Sequence, residues 1–492
     1  MTASDARKRR PEEATPRMPV TAEAVPSPNG GRLPLPRLVG FSLPGLTVGA
    51  LAVAISVHLP RYFAGHFGMG LALVGNIFMF VRVIDCGFDP IIGMAMDRTR
   101  TRIGRYRAWL ILGAPIIALG VFMLFVPQGT VTSRYLFFWL LIYYIGYSLI
   151  TLSHASWGSV VAGKYNERSR VFGAIQIVST LGATLILVIP SLMGKAAEHS
   201  GANVRAMGWA IVVVTPIAVA LAALATPERA VSDSSHERFG FRDYWAMISR
   251  PDMARIIIAD FCLTLGPGWM AALYLFYFHD ARGFAAGSAN LLLLIYIGAG
   301  VLGAIVMSRV AMKVGKHRTL QVAAAGYSIG LLSLIFAPKG AFLIAAVPMF
   351  ILGFLASSFT MLDRAMVADV GDAVRLEQGK QRVSLLYAMI TSSQKIATAL
   401  SIGLSLNVLA LVGFNPKEGA VNTSGAVLGL ELLYLVTPVV FVMIGAACYI
   451  GYKLDSKRHA EIRARLDVMD AQGVGEILPG DLEGPVVEAI AG

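Results

Sequence analysis

The chain has 492 residues, of which 56% are hydrophobic and 15% charged, with a mean hydropathy of +0.65. Soluble domains carry about 25% charged residues, so this composition excludes one and points to an integral membrane protein with about a dozen spans of about 20 apolar residues each. The formal net charge of +12 raises nucleic-acid binding, which the placement of the charges then excludes.

Residues 1–37 are rich in Pro, Ala, Glu and Arg and have no apolar core. They read as a disordered segment, neither a signal peptide nor a domain. Apolar stretches of spanning length follow at about 40–64, 71–97, 107–127, 134–162, 170–193 and 207–226, a six-helix bundle over residues 38–226. A polar linker over 227–252 precedes six more, at about 253–278, 287–309, 317–337, 341–368, 382–411 and 425–453, a second bundle over 253–453. The tail, 454–492, opens as a charged amphipathic stretch, KLDSKRHAEIRARLDVMD, and ends acidic and Gly-rich. It reads as a surface helix followed by disorder.

The cations set the topology. Arg98, Arg100, Arg102, Arg105 and Arg107 crowd the turn between spans 2 and 3. Lys164, Arg168 and Arg170 follow span 4, Arg309, Lys313, Lys316 and Arg318 follow span 8, and Arg375, Lys380 and Arg382 follow span 10. The opposite loops carry isolated cations such as Arg134, Lys195, Lys339 and Lys417. By the positive-inside bias both termini are cytoplasmic. The positive charge is thus a topology signal, with no nucleic-acid partner. GMAMDRTRTRIGRYR after span 2 is echoed by SRVAMKVGKHRT after span 8. The expected fold class is an all-α membrane protein with the major facilitator architecture: twelve transmembrane helices in two pseudo-symmetric six-helix halves and a site between them at mid-membrane.

Several polar groups interrupt the apolar runs. Asp85 and Asp89, in RVIDCGFDPIIGMAMDRTR of span 2, share a helix face at i, i+4. A carboxylate in hydrocarbon costs about 2.5–3.5 kcal/mol on insertion scales. Two of them converging can hold a cation or share a proton; an internal ion pair between Asp85 and Arg82, three residues earlier, is a compatible reading. Lys395 in span 11 needs a partner, for which the acidic pair across the inter-half cavity is the economical choice, or it snorkels to the cytoplasmic face. Trp157 in span 4 either stacks on a sugar or packs between helices, and His154 reads as a satisfied core histidine. Gly266-Pro267-Gly268 is expected to break span 7 near mid-depth and line a cavity. Asp260 is expected to be wet, and Asp363 and Arg364 to pair structurally near the inner gate. The Gly-rich run YIGAGVLGA of span 8 reads as close helix packing. Cys86, Cys262 and Cys448 lie in apolar runs without metal-ligand spacing and read as small hydrophobes, with no disulfide framework.

RVIDCGFDPIIGMAMDRTRTRIGRYRAWLILGAP resembles the signature of the glycoside–pentoside–hexuronide cation symporters, the melibiose-permease-like branch of the major facilitator superfamily. A second match lies in MVADVGDAVRLEQGKQR, followed by Lys395, Gly403, Leu404 and Gly413, and KYNERSRVFG resembles the family's short Glu-Arg loop. The resemblance covers essentially the whole membrane region. It implies that Asp85 and Asp89 are the coupling-cation carboxylates, that Trp157 lies against the sugar, and that Lys395 joins the cation and sugar sites. It implies cytoplasmic gate roles for Asp97, Arg105, Asp369, Asp372 and Arg382, whose charges bridge the halves when the inside is shut.

The departures narrow the function. Phe88 stands where sodium-using members carry an amide, which favours H+ over Na+. Span 1 lacks the acid that galactoside carriers keep, Ser153 lies near the position of another, and span 5 offers Gln176 in place of an arginine. The substrate is therefore expected to be less hydroxyl-rich than melibiose, with Arg82, Ser153, Trp157, Gln176 and Lys395 as candidate contacts. The expected function is cation-coupled import of a small glycoside, pentoside or hexuronide by alternating access, in a multi-pass protein of the bacterial inner membrane. It needs no cofactor, no bound metal beyond a Na+ at the aspartates, and no bond chemistry. Its partners are substrate, coupling cation and membrane lipid, and it acts as a monomer. A lysolipid transporter or a proton-driven exporter of the same fold is the alternative.

Overall fold

The computed structural model describes residues 33–161, 165–199, 201–226, 228, 245, 247–378, 383–417, 419–454 and 456–471. Among these, twelve helices are long and apolar enough to cross a membrane. Spans 1 to 6 are Leu35–His66, Leu71–Met96, Arg105–Phe125, Ser133–Val161, Arg170–Met193 and Ala202–Ala225. Spans 7 to 12 are Pro251–Ala281, Ala286–Val314, Lys316–Phe336, Phe342–Glu377, Leu385–Leu411 and Ser424–Ala447. A tail helix, Ser456–Ala471, follows. An even number of crossings puts both ends of the described chain on one side of the bundle, called here the terminal end. Most of the linker, the last residues of the tail and nearly all of the segment 1–37 lie outside the described residues.

Span 1 begins at Leu35, inside the segment expected to be disordered. The reason is an anchor from the helix Tyr165–His199 that carries span 5: Glu167 accepts the Leu33 N–H at 3.0 Å, and Arg170 donates to the Leu33 carbonyl at 2.9 Å. Arg170 and Glu167 pair with each other at 3.1 Å, so the Glu-Arg motif works as a clasp for the chain entering span 1.

Helix pairing repeats between the two sets of six. Span 1 packs on spans 5 and 6, span 2 on 4, and span 3 on 4 and 6. Span 7 packs on spans 11 and 12, span 8 on 10, and span 9 on 10 and 12. Between the sets, span 2 meets span 11, span 5 meets span 8, and span 1 meets span 7. Such crossings need small residues, since lipid-embedded helices gain little hydrophobic drive from association and rely on close packing. A Cβ on Gly182 would strike the Leu46 carbonyl oxygen, and one on Gly303 of span 8 the Phe354 carbonyl oxygen of span 10.

The Gly266-Pro267-Gly268 break does not form: the helix runs unbroken through Pro251–Leu275. A proline removes one backbone donor, which a helix packed among neighbours tolerates. The two glycines serve packing, with Cβ positions that would meet the Val442 side chain and Pro438 carbonyl from span 12 and the Ser401 side chain from span 11. Span 7 departs from α-geometry only beyond this point, in a π-helical turn over Phe276–Ala281. Span 1 does the same over Ala54–His58 and Tyr62–His66, around Pro60, which lacks the N–H its turn would use. All three widened turns lie in the parts of their spans away from the terminal end.

The two halves touch at that far end. Arg61 of span 1 pairs with Asp280 of span 7 at 2.9 Å. Asn407 of span 11 donates to Asn76 of span 2 at 2.8 Å, and Ser191 of span 5 to the Gly287 carbonyl of span 8 at 3.2 Å.

Within the YIGAGVLGA run, the structure separates two glycines. Gly303 abuts span 10, whereas a Cβ on Gly298 would meet nothing within 4 Å. Gly303→Leu should lower stability by about 1–3 kcal/mol or more through overpacking against backbone, seen as a fall in melting temperature in detergent. Gly298→Leu should leave it unchanged; equal effects of the two would refute the packing argument.

Candidate functional site

Asp85 and Asp89 leave span 2 on the face turned to spans 4 and 11. Asp85 is sealed, with 1% of its side chain exposed. Its Oδ2 accepts from Arg82 Nη1 at 3.1 Å and its Oδ1 from the Ser148 hydroxyl of span 4 at 2.8 Å. Lys395 of span 11 reaches across: its ammonium lies 3.5 Å from Asp85 Oδ2 and forms an ion pair with Asp89 Oδ2. Asp89 remains 18% exposed, and its buried Oδ1 has no hydrogen-bond partner. Arg82 lies 4.7 Å over the Tyr144 ring and 6.0 Å from that of Tyr147. Cations held on tyrosine faces and against a carboxylate keep their charge in apolar surroundings. Two carboxylates and two cations make the cluster electrically neutral. Three members come from the first half and Lys395 from the second.

Ser148 was not among the residues the sequence singled out. Nothing in the sequence distinguishes it from Ser153, one and a half turns on, whose hydroxyl is spent on the Leu149 and Ile150 carbonyls of its own helix. Phe88 turns away from the cluster to pack on Ile92, Met96 and Leu149, so it adds no oxygen.

The structure brings Arg82 and Lys395 to the aspartates and keeps the other candidate substrate contacts apart from them. Trp157 is fully buried, with Phe41 edge-on at 5.1 Å and its indole N–H without a hydrogen-bond partner. Ser153 is also fully buried, and Gln176 is exposed on span 5. His154 is a satisfied core histidine, bonded to the Phe41 carbonyl at 2.8 Å.

Two further expectations are corrected. Asp260 is dry, at 1% exposure, and accepts from Gln394 at 2.7 Å. Its depth in the packed face of span 7 hides it from the water expected there. Asp363 and Arg364 do not pair with each other. Asp363 takes the Tyr449 hydroxyl at 2.5 Å, while Arg364 donates to Gln394 Oε1 at 3.4 Å, since neighbours on a helix point about 100° apart.

Of the gate positions, the Asp97 side chain and all of Arg382 lie outside the described residues. Arg105 donates its Nε–H to the Met96 carbonyl at 3.1 Å, closing the turn between spans 2 and 3. Asp369 pairs with Lys316 of span 9 at 2.7 Å and with His459 of the tail helix at 3.3 Å. Asp372 meets His459 at 3.1 Å and Arg463 at 3.5 Å. In this state the two acids therefore engage their own half and the tail helix. Glu228, another residue the sequence did not mark, accepts from the backbone N–H groups of Arg105, Tyr106 and Arg107 at 2.8–3.1 Å. A carboxylate there satisfies the orphan donors at the start of span 3 and complements its dipole.

The profile of the MFS/sugar transport protein family matches residues 40–456. The isoprimeverose transporter of Lactiplantibacillus pentosus is 24% identical over 85% of this chain and 88% of its own length. The uncharacterized symporter YnaJ of Bacillus subtilis is 24% identical over 90% of this chain and 97% of its own. Among solved structures, the nucleoside transporter NupG superposes with a TM-score of 0.65 at 14% identity, covering 85% of this chain and all of its own. A bacterial homologue of the human lysosomal transporter Spinster superposes at 0.63, with 14% identity and coverage of 85% and 95%. These structures share the fold. The chain belongs to the MFS/sugar transport protein family, in its glycoside–pentoside–hexuronide branch, and is a multi-pass inner-membrane secondary transporter of the sugar-transport class, not an enzyme.

Proposed function

We propose that this transporter imports a glycoside, pentoside or hexuronide by symport with a cation, H+ in preference to Na+. The observation that carries the reading is the ion pairing of Lys395, from the second half, with both aspartates of the first. A lone charge in this low-dielectric setting is costly. A proton or cation arriving at Asp89 therefore cannot coexist cheaply with Lys395 on the same carboxylate. Loading Asp89 frees Lys395, and the contact between the halves at mid-membrane loosens. Coupling follows from this exclusivity: a ligand shifts a two-state equilibrium only by its differential affinity for the two states.

The geometry also divides the labour within the pair. Asp85, clasped by Arg82 and Ser148, acts as the anchor. Asp89, part-exposed and with an unpartnered oxygen, is the exchangeable carboxylate. Hard cations favour several oxygen ligands, and Phe88 faces an apolar cluster, which supports proton coupling. The sugar-transporting names of the relatives support the substrate class. A substrate hydroxyl would give the Trp157 N–H the partner it lacks, once Phe41 moves aside. With the cation-rich loops on the cytoplasmic side, the clamped far end faces outward, and this state is closed to the outside.

The test is uptake into proteoliposomes under an imposed proton or sodium gradient, across labelled glycosides, pentosides, hexuronides and lysolipids. Asp89→Asn should abolish gradient-driven accumulation and leave the fold intact. Asp85→Asn should abolish it as well and also destabilise the protein by about 3–5 kcal/mol, because Arg82 is left buried without its carboxylate. Accumulation that survives both variants would refute the coupling site, and uptake of lysolipids alone would replace the substrate class. Ser148→Ala removes one hydrogen bond to the ionised Asp85, worth about 1.5–3 kcal/mol. Because that bond favours the charged form, its loss should make the pair easier to protonate and lower the half-saturating proton concentration by roughly tenfold or more. An unchanged value in that titration would remove Ser148 from the site.

A further inference from the structure

The far-end clamp contains a titratable group at its centre. Arg61 grips Asp280 through two bonds, Nη2 to Oδ1 at 2.9 Å and Nε to Oδ2 at 3.4 Å. His279, next to Asp280 on the π-helical turn of span 7, presents one ring nitrogen to both. Its Nδ1 lies 2.7 Å from Arg61 Nη2 and 2.5 Å from Asp280 Oδ1. One nitrogen cannot serve both neighbours in the same protonation state. A lone pair on Nδ1 accepts from Arg61, whereas an N–H on Nδ1 donates to Asp280.

We propose that His279 is a proton-binding site that unlocks the clamp between spans 1 and 7. With Nδ1 unprotonated, Arg61 holds both Asp280 and the imidazole, and three side chains bind the halves together. Protonation removes the acceptor that Arg61 uses and sets a second cation beside the guanidinium. It also turns Asp280 toward its own neighbour, so charge that had linked two halves is satisfied within one. A proton therefore binds the open arrangement more readily than the closed one and shifts the population toward opening. His279 is 29% exposed, so solvent at that face reaches it. The proposal rests on the symport reading for its meaning: the outer face is the side from which a driving proton arrives, so an acidic exterior would favour the outward-open form.

Other polar groups surround His279. Span 1 contributes Arg61, His58 and Tyr62; Asn203 and Asn290 line the same small cavity from spans 6 and 8. His58 is buried, with Nε2 lacking a hydrogen-bond partner, and lies within electrostatic reach of Arg61. His66 is exposed and stacks on Tyr62 at 5.3 Å, which makes it the natural control. On the other side of the turn, Arg282 is engaged with Glu431 of span 12 at 3.3 Å.

The test needs no substrate. Spin labels at Thr130 and Val421, exposed in far-end loops of the first and second halves, report the separation of the halves by pulsed electron resonance in nanodiscs, with the three native cysteines replaced by alanine. Between about pH 8 and pH 5.5, a range that brackets the ordinary histidine titration, the ratio of short to long distances should fall by roughly tenfold, the size expected for one lost hydrogen bond to a charged group. His279→Gln should hold its pH 8 distribution throughout, and His279→Lys, with a fixed charge, should show the long distances even at pH 8. His66→Gln should follow the parent. A parent-like pH response in His279→Gln, or one lost in His66→Gln instead, would overturn the proposal. Short distances in a folded His279→Lys protein at every pH would do the same. A response specific to His279 in a protein that shows no proton-driven uptake would uphold this site while removing the symport reading, so the two fail separately.

Discussion

Two carboxylates and two cations buried together must neutralise one another, and the transporter is arranged around that requirement. In low dielectric an uncompensated charge costs far more than in water. Asp85 meets this with partners from its own half: Arg82 on the same helix and Ser148 on span 4. Asp89 meets it with Lys395 from the other half. The first arrangement survives any relative motion of the halves, while the second does not. The same neutrality condition that stabilises the buried cluster thereby ties the charge on Asp89 to the distance between the halves.

Span 11 is the element through which this tie acts. Lys395 faces the aspartates, while its neighbour Gln394 bonds Asp260 of span 7 and accepts from Arg364 of span 10. The lysine is thus presented by a helix fastened to its own half. Toward the far end, Asn407 bonds Asn76, and a Cβ on Gly403 would strike the Met79 side chain of span 2. Spans 2 and 11 are held at mid-membrane by charge and beyond it by close packing and an amide pair. Dense packing resists continuous deformation, so loosening the charged contact favours movement of whole halves over local yielding.

The closed end has a different chemistry. Its contacts are hydrogen bonds and an ion pair; His279 and Asp280 lie on the π-helical turn of span 7, and Arg61 lies between the two π-helical turns of span 1. Widened turns of this kind recur at functional positions because they re-aim side chains without ending the helix. At the terminal end, Asp369 and Asp372 are held by Lys316 and the tail helix, so acids that could reach the other half are satisfied within their own.

Much of this was legible in the amino-acid order. Unbroken apolar runs force helices in lipid, because backbone groups there have no water to bond, and the spacing of Asp85 and Asp89 puts both on one helix face. Lys395, in a span with no acid of its own, had to find a partner elsewhere. What the sequence could not decide was which faces meet. Ser148 and Ser153 look alike in the chain, yet the rotation of span 4 against span 2 aims one hydroxyl at Asp85 and buries the other against its own carbonyls. Arg61 and Asp280 are 219 residues apart, and no local pattern links them. Gly266-Pro267-Gly268 carries the marks of a break, but neighbouring helices fill its surroundings and keep it helical. Composition and spacing thus determined that the chain spans the membrane and that charge lies buried at its middle. Only the tertiary structure decided which groups share that charge, because pairing in a helical bundle depends on the rotation and crossing of helices distant in sequence, which periodicity along one helix does not contain.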